Sequence, residues 1–85
     1  MMQQTSLIAY ERIRQKLPER QRQIYIALES LREATNKMIE KESGLPINIV
    51  TARIFELRKE GLVIESYKDI CPITKNKAIF WRVRK

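Results

Sequence analysis

A chain of 85 residues, 44% hydrophobic and 32% charged, has room for one domain and enough apolar surface for a thin core, which excludes a multidomain enzyme and a disordered tail. Seventeen Lys and Arg against ten Asp and Glu give a formal charge of +7, and clustered cations favour a polyanionic partner by releasing its condensed counterions. With no histidine and a single cysteine, Cys71, the sequence excludes His-based acid–base catalysis, a structural zinc site and an intramolecular disulfide.

The positive charge is unevenly placed. From Glu11 to Arg22 five basic residues face two acidic ones, and from Tyr67 to Lys85 six face one, with a nearly neutral stretch between. The first predicted element, within 1–17, is a helix capped by Thr5 or Ser6 and running to about Leu17, with Leu7, Tyr10, Ile13 and Leu17 on one face and Arg12, Arg14 and Lys16 on the other. Pro18 interrupts it and fits the first turn of a second helix running to about Glu33, which buries Ile24, Leu28 and Leu31. Thr35 is a candidate cap for a short third helix ending at Gly44, with Met38 and Ile39 as its apolar contacts. Pro46 opens a fourth helix whose Ile47, Val50, Ile54 and Leu57 continue to a second helix-ending glycine, Gly61. Beyond it, Leu62 to Tyr67 and Ala78 to Val83 read as strands joined by a Lys-rich loop of about ten residues. Ile79, Trp81 and Val83 alternate, so Trp81 is expected in the core rather than as a stacking platform.

The stretch Ala34 to Leu62, ATNKMIEKESGLPINIVTARIFELRKEGL, is a short helix, a Gly-containing turn and a longer helix, the helix-turn-helix arrangement whose second helix fits a DNA major groove. At about 100° per residue, Val50, Ile54 and Leu57 point inward. Asn48, Ala52, Phe55, Glu56 and Lys59 point outward, with Thr51 and Arg53 on the flanks. Asn48, Thr51, Ala52 and Arg53 are therefore the candidate base readers: Arg suits guanine, Asn suits adenine, and Ala can meet a thymine methyl. Asn48 as a helix cap and Arg53 as an ion-paired arginine are the structural alternatives. Ile49 and Phe55 are apolar residues on an otherwise polar face, for which packing against the first helix or a second subunit is favoured over contact with DNA methyl groups. Lys37 is a phosphate candidate at the start of the third helix, and Lys59, Lys68, Lys75, Asn76 and Lys77 complete the set of backbone contacts.

From Pro18 to Lys85 the sequence resembles a winged helix-turn-helix DNA-binding domain. The segment ATNKMIEKESGLPINIVTARIFELRKEGLV looks like a MarR-type helix-turn-helix followed by the first wing strand. The tail CPITKNKAIFWR is similar to the wing end of small stand-alone winged-helix proteins encoded by bacteriophages and prophages. The resemblance implies an α+β, mainly α fold: a three-helix core with a C-terminal β-hairpin wing over 18–85 and an extra N-terminal helix over 1–17. It also implies a wing, 68–77, lying along the DNA backbone or reaching a minor groove. A transcriptional regulator binding double-stranded DNA is the expected function.

Leu7, Tyr10, Ile13 and Leu17 are candidate dimer contacts, and a homodimer would match a palindromic site. Folding back onto their own domain is the equal alternative. No cofactor, metal or membrane is expected, and neither is an enzyme: the carboxylates fall singly on helix faces, and Cys71 has only lysines of a loop near it in sequence. The lone cysteine and the lack of a signal-like or membrane-spanning apolar run point to a soluble, cytoplasmic protein. A second reading uses the same fold as a protein-interaction adaptor in a replication or packaging assembly. RNA binding is less favoured, because no RNA-recognition aromatic signature is present.

Overall fold

The computed structural model describes residues 12–84 as a small α+β domain, in which four helices precede a two-stranded antiparallel hairpin. Residues 12–16 are helical (α1), and Pro18, in an extended conformation at φ −54° and ψ 154°, separates them from α2, Glu19–Leu31. Arg14 of α1 forms a 2.9 Å ion pair with Glu29 of α2, across the bend. Leu17 is 8% exposed and Ile13 packs against the same cluster, so both turn toward the chain's own core; Leu7 and Tyr10 lie outside the described residues.

The second helix stops at Leu31, two residues before its expected end at Glu33, because the backbone reverses at Arg32. Arg32 sits at φ 71° and ψ −60°, and the Glu33 N–H donates to the Leu31 carbonyl at 2.9 Å. That geometry is the strained form of the γ-turn, which no hydrophobic pattern announces. Arg32→Gly is therefore expected to raise stability by about 1 kcal/mol by removing the Cβ clash, and Arg32→Ala, which keeps it, is not. A urea midpoint that moves upward for the glycine variant alone is the check.

After the turn, Ala34 exchanges two backbone hydrogen bonds with Trp81, at 3.0 and 2.8 Å, which ties the connector to the outer side of the hairpin. Thr35 then caps α3, Asn36–Ser43, its hydroxyl accepting the Met38 N–H at 3.2 Å. Gly44 ends this helix in the left-handed conformation, at φ 75°. Helix α4, Ile47–Lys59, follows Pro46, and its end is a Schellman motif: Leu62 N–H reaches the Leu57 carbonyl and Gly61 N–H the Arg58 carbonyl. Gly61 stands at φ 79°, which only glycine adopts without strain.

The hairpin is longer than its sequence pattern predicts. Strands β1, Val63–Ile70, and β2, Lys77–Val83, replace the expected 62–67 and 78–83, and the turn shrinks to 71–76. Lys68, Asp69 and Ile70 pair with Ile79, Ala78 and Lys77. All three β1 residues are exposed, so burial leaves no alternation there to read. The register slips between Glu65 and Tyr67, leaving Ser66 as a bulge, and the Ser66 hydroxyl donates to Glu33 on the connector. Past the bulge, the Tyr67 and Phe80 rings stack 4.7 Å apart.

The core lies where the three longer helices meet the inner face of the hairpin. Ile24, Tyr25 and Leu28 of α2, Ile39 of α3, Val50, Ile54 and Leu57 of α4, and Val63, Trp81 and Val83 of the strands bury together. At about 1.5–3 kcal/mol for each large side chain withdrawn from water, this cluster is what fixes α4 against the hairpin.

Candidate nucleic-acid interface

The inward stripe of α4, Val50, Ile54 and Leu57, leaves Asn48, Thr51, Phe55 and Lys59 exposed on the opposite side and Ala52 half-buried among them. Phe55 is 64% exposed and lies in the middle of this stripe, where no other described element covers it. Ile49 is half-buried.

Arg53 lies toward α2 rather than at the centre of the stripe. One guanidinium N–H donates to Glu56 Oε2 at 2.9 Å, and Nε lies 2.9 Å from Oε1 without an aligned N–H, an ion contact more than a hydrogen bond. Gln21, from the first turns of α2, donates to the same Glu56 at 2.8 Å. The Arg53 side chain is 27% exposed and held as one member of this cluster. The second arginine of the helix, Arg58, places its guanidinium 5.1 Å from the centre of the Trp81 ring. Both partners are distant in sequence or on another element, so spacing along α4 gave no signal of Gln21 or Trp81.

A concavity of about 300 Å³ opens between the first turn of α3, the flank of α4 and the hairpin. Asn36, Lys37, Thr51, Thr74 and Ile79 line it, with Trp81 and Cys71 also contributing. A smaller hollow, about 140 Å³, continues along α4 past Thr51, Phe55 and Arg58. Among the described residues, neither is lined by a carboxylate. Concavities on the other faces are: Glu29 and Glu33 line one beside Arg82, and Glu42 lines two beside α3. The amide oxygen of Asn36 is buried without a partner.

Thr35 and Cys71 join α3 to the hairpin beneath this surface. The Thr35 hydroxyl that caps α3 stands 3.1 Å from Cys71 Sγ, and both residues are buried. Burial pushes the Cys71 thiol up, but hydrogen bonds from the Thr35 hydroxyl, the backbone at Thr74 and Ile73 and the Thr74 hydroxyl outweigh it and bring it down from 9.0 to about 7. Cys71 is thus buried and hydrogen-bonded at the base of the turn. Its N–H donates to the Asn76 carbonyl and its own carbonyl accepts from Lys75 N–H, closing the turn. Lys75 takes a left-handed conformation, φ 65°, and Lys75, Asn76 and Lys77 are all exposed at the tip.

Lys68 is a β1 residue facing Ile79 rather than a loop residue. Lys37 is exposed and paired with Glu40 at 2.9 Å; a pair in solvent is worth about 0–1 kcal/mol and yields readily to a stronger anion. Arg12 and Lys16 of α1 are exposed as well. No described helix is long and apolar enough to cross a membrane, and no described group of three or more His, Cys, Asp or Glu could hold a metal ion.

No protein-family model and no curated protein matches this chain.

Proposed function

We propose that the chain is a winged helix-turn-helix module that binds double-stranded DNA and acts as a transcriptional regulator, with α4 in the major groove and the hairpin as a wing on the backbone or in a minor groove. The observation that carries this reading is the exposed polar stripe of α4 beside a concavity without carboxylates, bounded by the α3 N-terminus and a lysine-tipped hairpin. A helix is the element that fits a major groove. The N-terminus of α3, with Lys37, suits a phosphate, and Lys59, Lys68, Lys75, Asn76 and Lys77 suit the sugar-phosphate backbone. Asn48, Thr51 and Ala52 meet base edges directly, whereas Arg53 reaches a base only by leaving Glu56.

The experiment is duplex binding followed by anisotropy as salt rises from roughly 50 to 200 mM, over which log K is expected to fall with a slope of about −0.9 per phosphate neutralised. Lys75→Asn, which tolerates the left-handed backbone, and Lys77→Ala are each expected to flatten that slope by about one. Binding that is undetectable at low salt rejects the reading. The second reading, a protein-interaction adaptor, then takes its place, and it draws its own support from the exposure of Phe55.

A further inference from the structure

We infer that the outward face of α4 selects A·T-rich duplex by reading thymine methyl groups, with Phe55 as the principal methyl contact and Ala52 beside it. The inference rests on the DNA-binding reading above and specifies which sequences that surface prefers. Guanine is read best by a guanidinium offering paired donors to O6 and N7. Of the two arginines of α4, Arg53 is held by Glu56, which Gln21 also holds, and Arg58, though exposed, lies over the Trp81 ring at the side of the stripe. Glu56, the one carboxylate of the helix that could accept from a cytosine amine, is engaged in the same cluster. What remains outward over the first three turns is Asn48, Thr51, Ala52 and Phe55, with Lys59 at the helix end, where it is assigned to the backbone. An asparagine matches the N6 and N7 of adenine, a threonine accepts either base, and the apolar pair matches the C5 methyl of thymine, the one apolar group on the major-groove edge.

Geometry agrees with this assignment. Residues 48, 51, 52 and 55 lie at helical spacing along one face and span about 10 Å at 1.5 Å per residue, close to three base steps of about 3.4 Å. A ring 64% exposed amid polar neighbours leaves water on docking, and a methyl is the surface it covers without stranding a donor or acceptor. Against a G·C pair the same ring covers polar edge atoms and leaves them unpaired. Phe55 therefore favours one class of site and opposes the other.

The test compares a short A·T-rich duplex with its counterpart carrying deoxyuridine for thymidine, which removes the methyl alone. The wild-type chain is expected to bind the uracil duplex about three- to fivefold more weakly per methyl contacted, the factor for burying one such carbon. In a G·C-rich duplex, 5-methylcytosine in place of cytosine is expected to strengthen binding by a similar factor. With Phe55→Ala, a change at an exposed position outside the core cluster, the thymine-to-uracil ratio is expected to fall toward one while the salt slope persists. Equal binding of the thymine and uracil duplexes by the wild type overturns the inference, and so does a full ratio retained by Phe55→Ala; in both cases the DNA reading stands. Failure to bind any duplex at low salt removes the DNA reading and this inference together.

Discussion

Trp81→Ala is expected to cost about 3–5 kcal/mol, the range for emptying a buried large aromatic site. A chain of this size has roughly 4–13 kcal/mol in total at 0.05–0.15 kcal/mol per residue, so the loss is a large share of the whole. The indole is 7% exposed and sits where the strands meet the helices. It carries the Arg58 guanidinium on its face, and its backbone holds the Ala34 connector on one side and pairs with Glu65 on the other. Removing the ring leaves those backbone bonds chemically possible but unsupported. Because Trp81 is the single tryptophan, the measurement is urea denaturation by far-UV circular dichroism. Trp81→Phe refills part of the space and is expected to lose less than half as much. A midpoint for the alanine variant within about 1 kcal/mol of wild type contradicts the placement of Trp81 at the centre of the core.

Thr51→Glu is expected to weaken duplex binding by about a hundredfold or more while leaving the fold intact. Thr51 is exposed, stands on α4 and lines both hollows that separate α4 from the hairpin. A carboxylate there faces phosphates or base acceptors, and like-charge contact at an interface costs several kcal/mol, with each 1.4 kcal/mol a factor of ten. Stability is expected to stay within about 0.5 kcal/mol, since the site is on the surface and glutamate favours helix. Ser30→Glu, an exposed change on α2 beside the Glu42 face, adds the same charge elsewhere and is expected to cost only a fewfold loss. Equal affinities for Thr51→Glu and wild type, measured by the same anisotropy assay, would show that α4 does not face the duplex.

The helical core was legible wherever local chemistry decides the backbone. Thr35 with its hydroxyl on Met38, Gly44 and Gly61 at positive φ, and Pro46 before α4 set their boundaries within a turn, and the inward stripe of α4 follows from helical spacing. What escaped depends on partners far along the chain. Spacing within α4 shows Arg53 near Glu56, but Gln21, 35 residues away, completes that cluster. Nothing between Thr35 and Cys71 signals that a helix cap and a strand end share a contact. The strand residues Lys68 to Ile70 hide their pairing because exposure removes alternation, and the Arg32 turn hides because arginine is not a residue that positive φ selects. For the first helix the sequence leaves two fates open; Leu17 and Ile13 pack against the chain's own core, and Leu7 and Tyr10 lie outside the described residues.

The bulge at Ser66 also bears on how copies of this chain meet. Among the described residues the outer edge of β2 is met only by Ala34, at Trp81, and the outer edge of β1 is unpaired along its length. A second hairpin that tried to extend the sheet there would encounter an interrupted ladder at Ser66 and exposed Glu65, Lys68 and Asp69 around it. Such kinks and charges frustrate strand addition between molecules. The interrupted ladder and its charges are therefore expected to oppose the association that exposed Tyr67 and Ile70 on the same strand would favour.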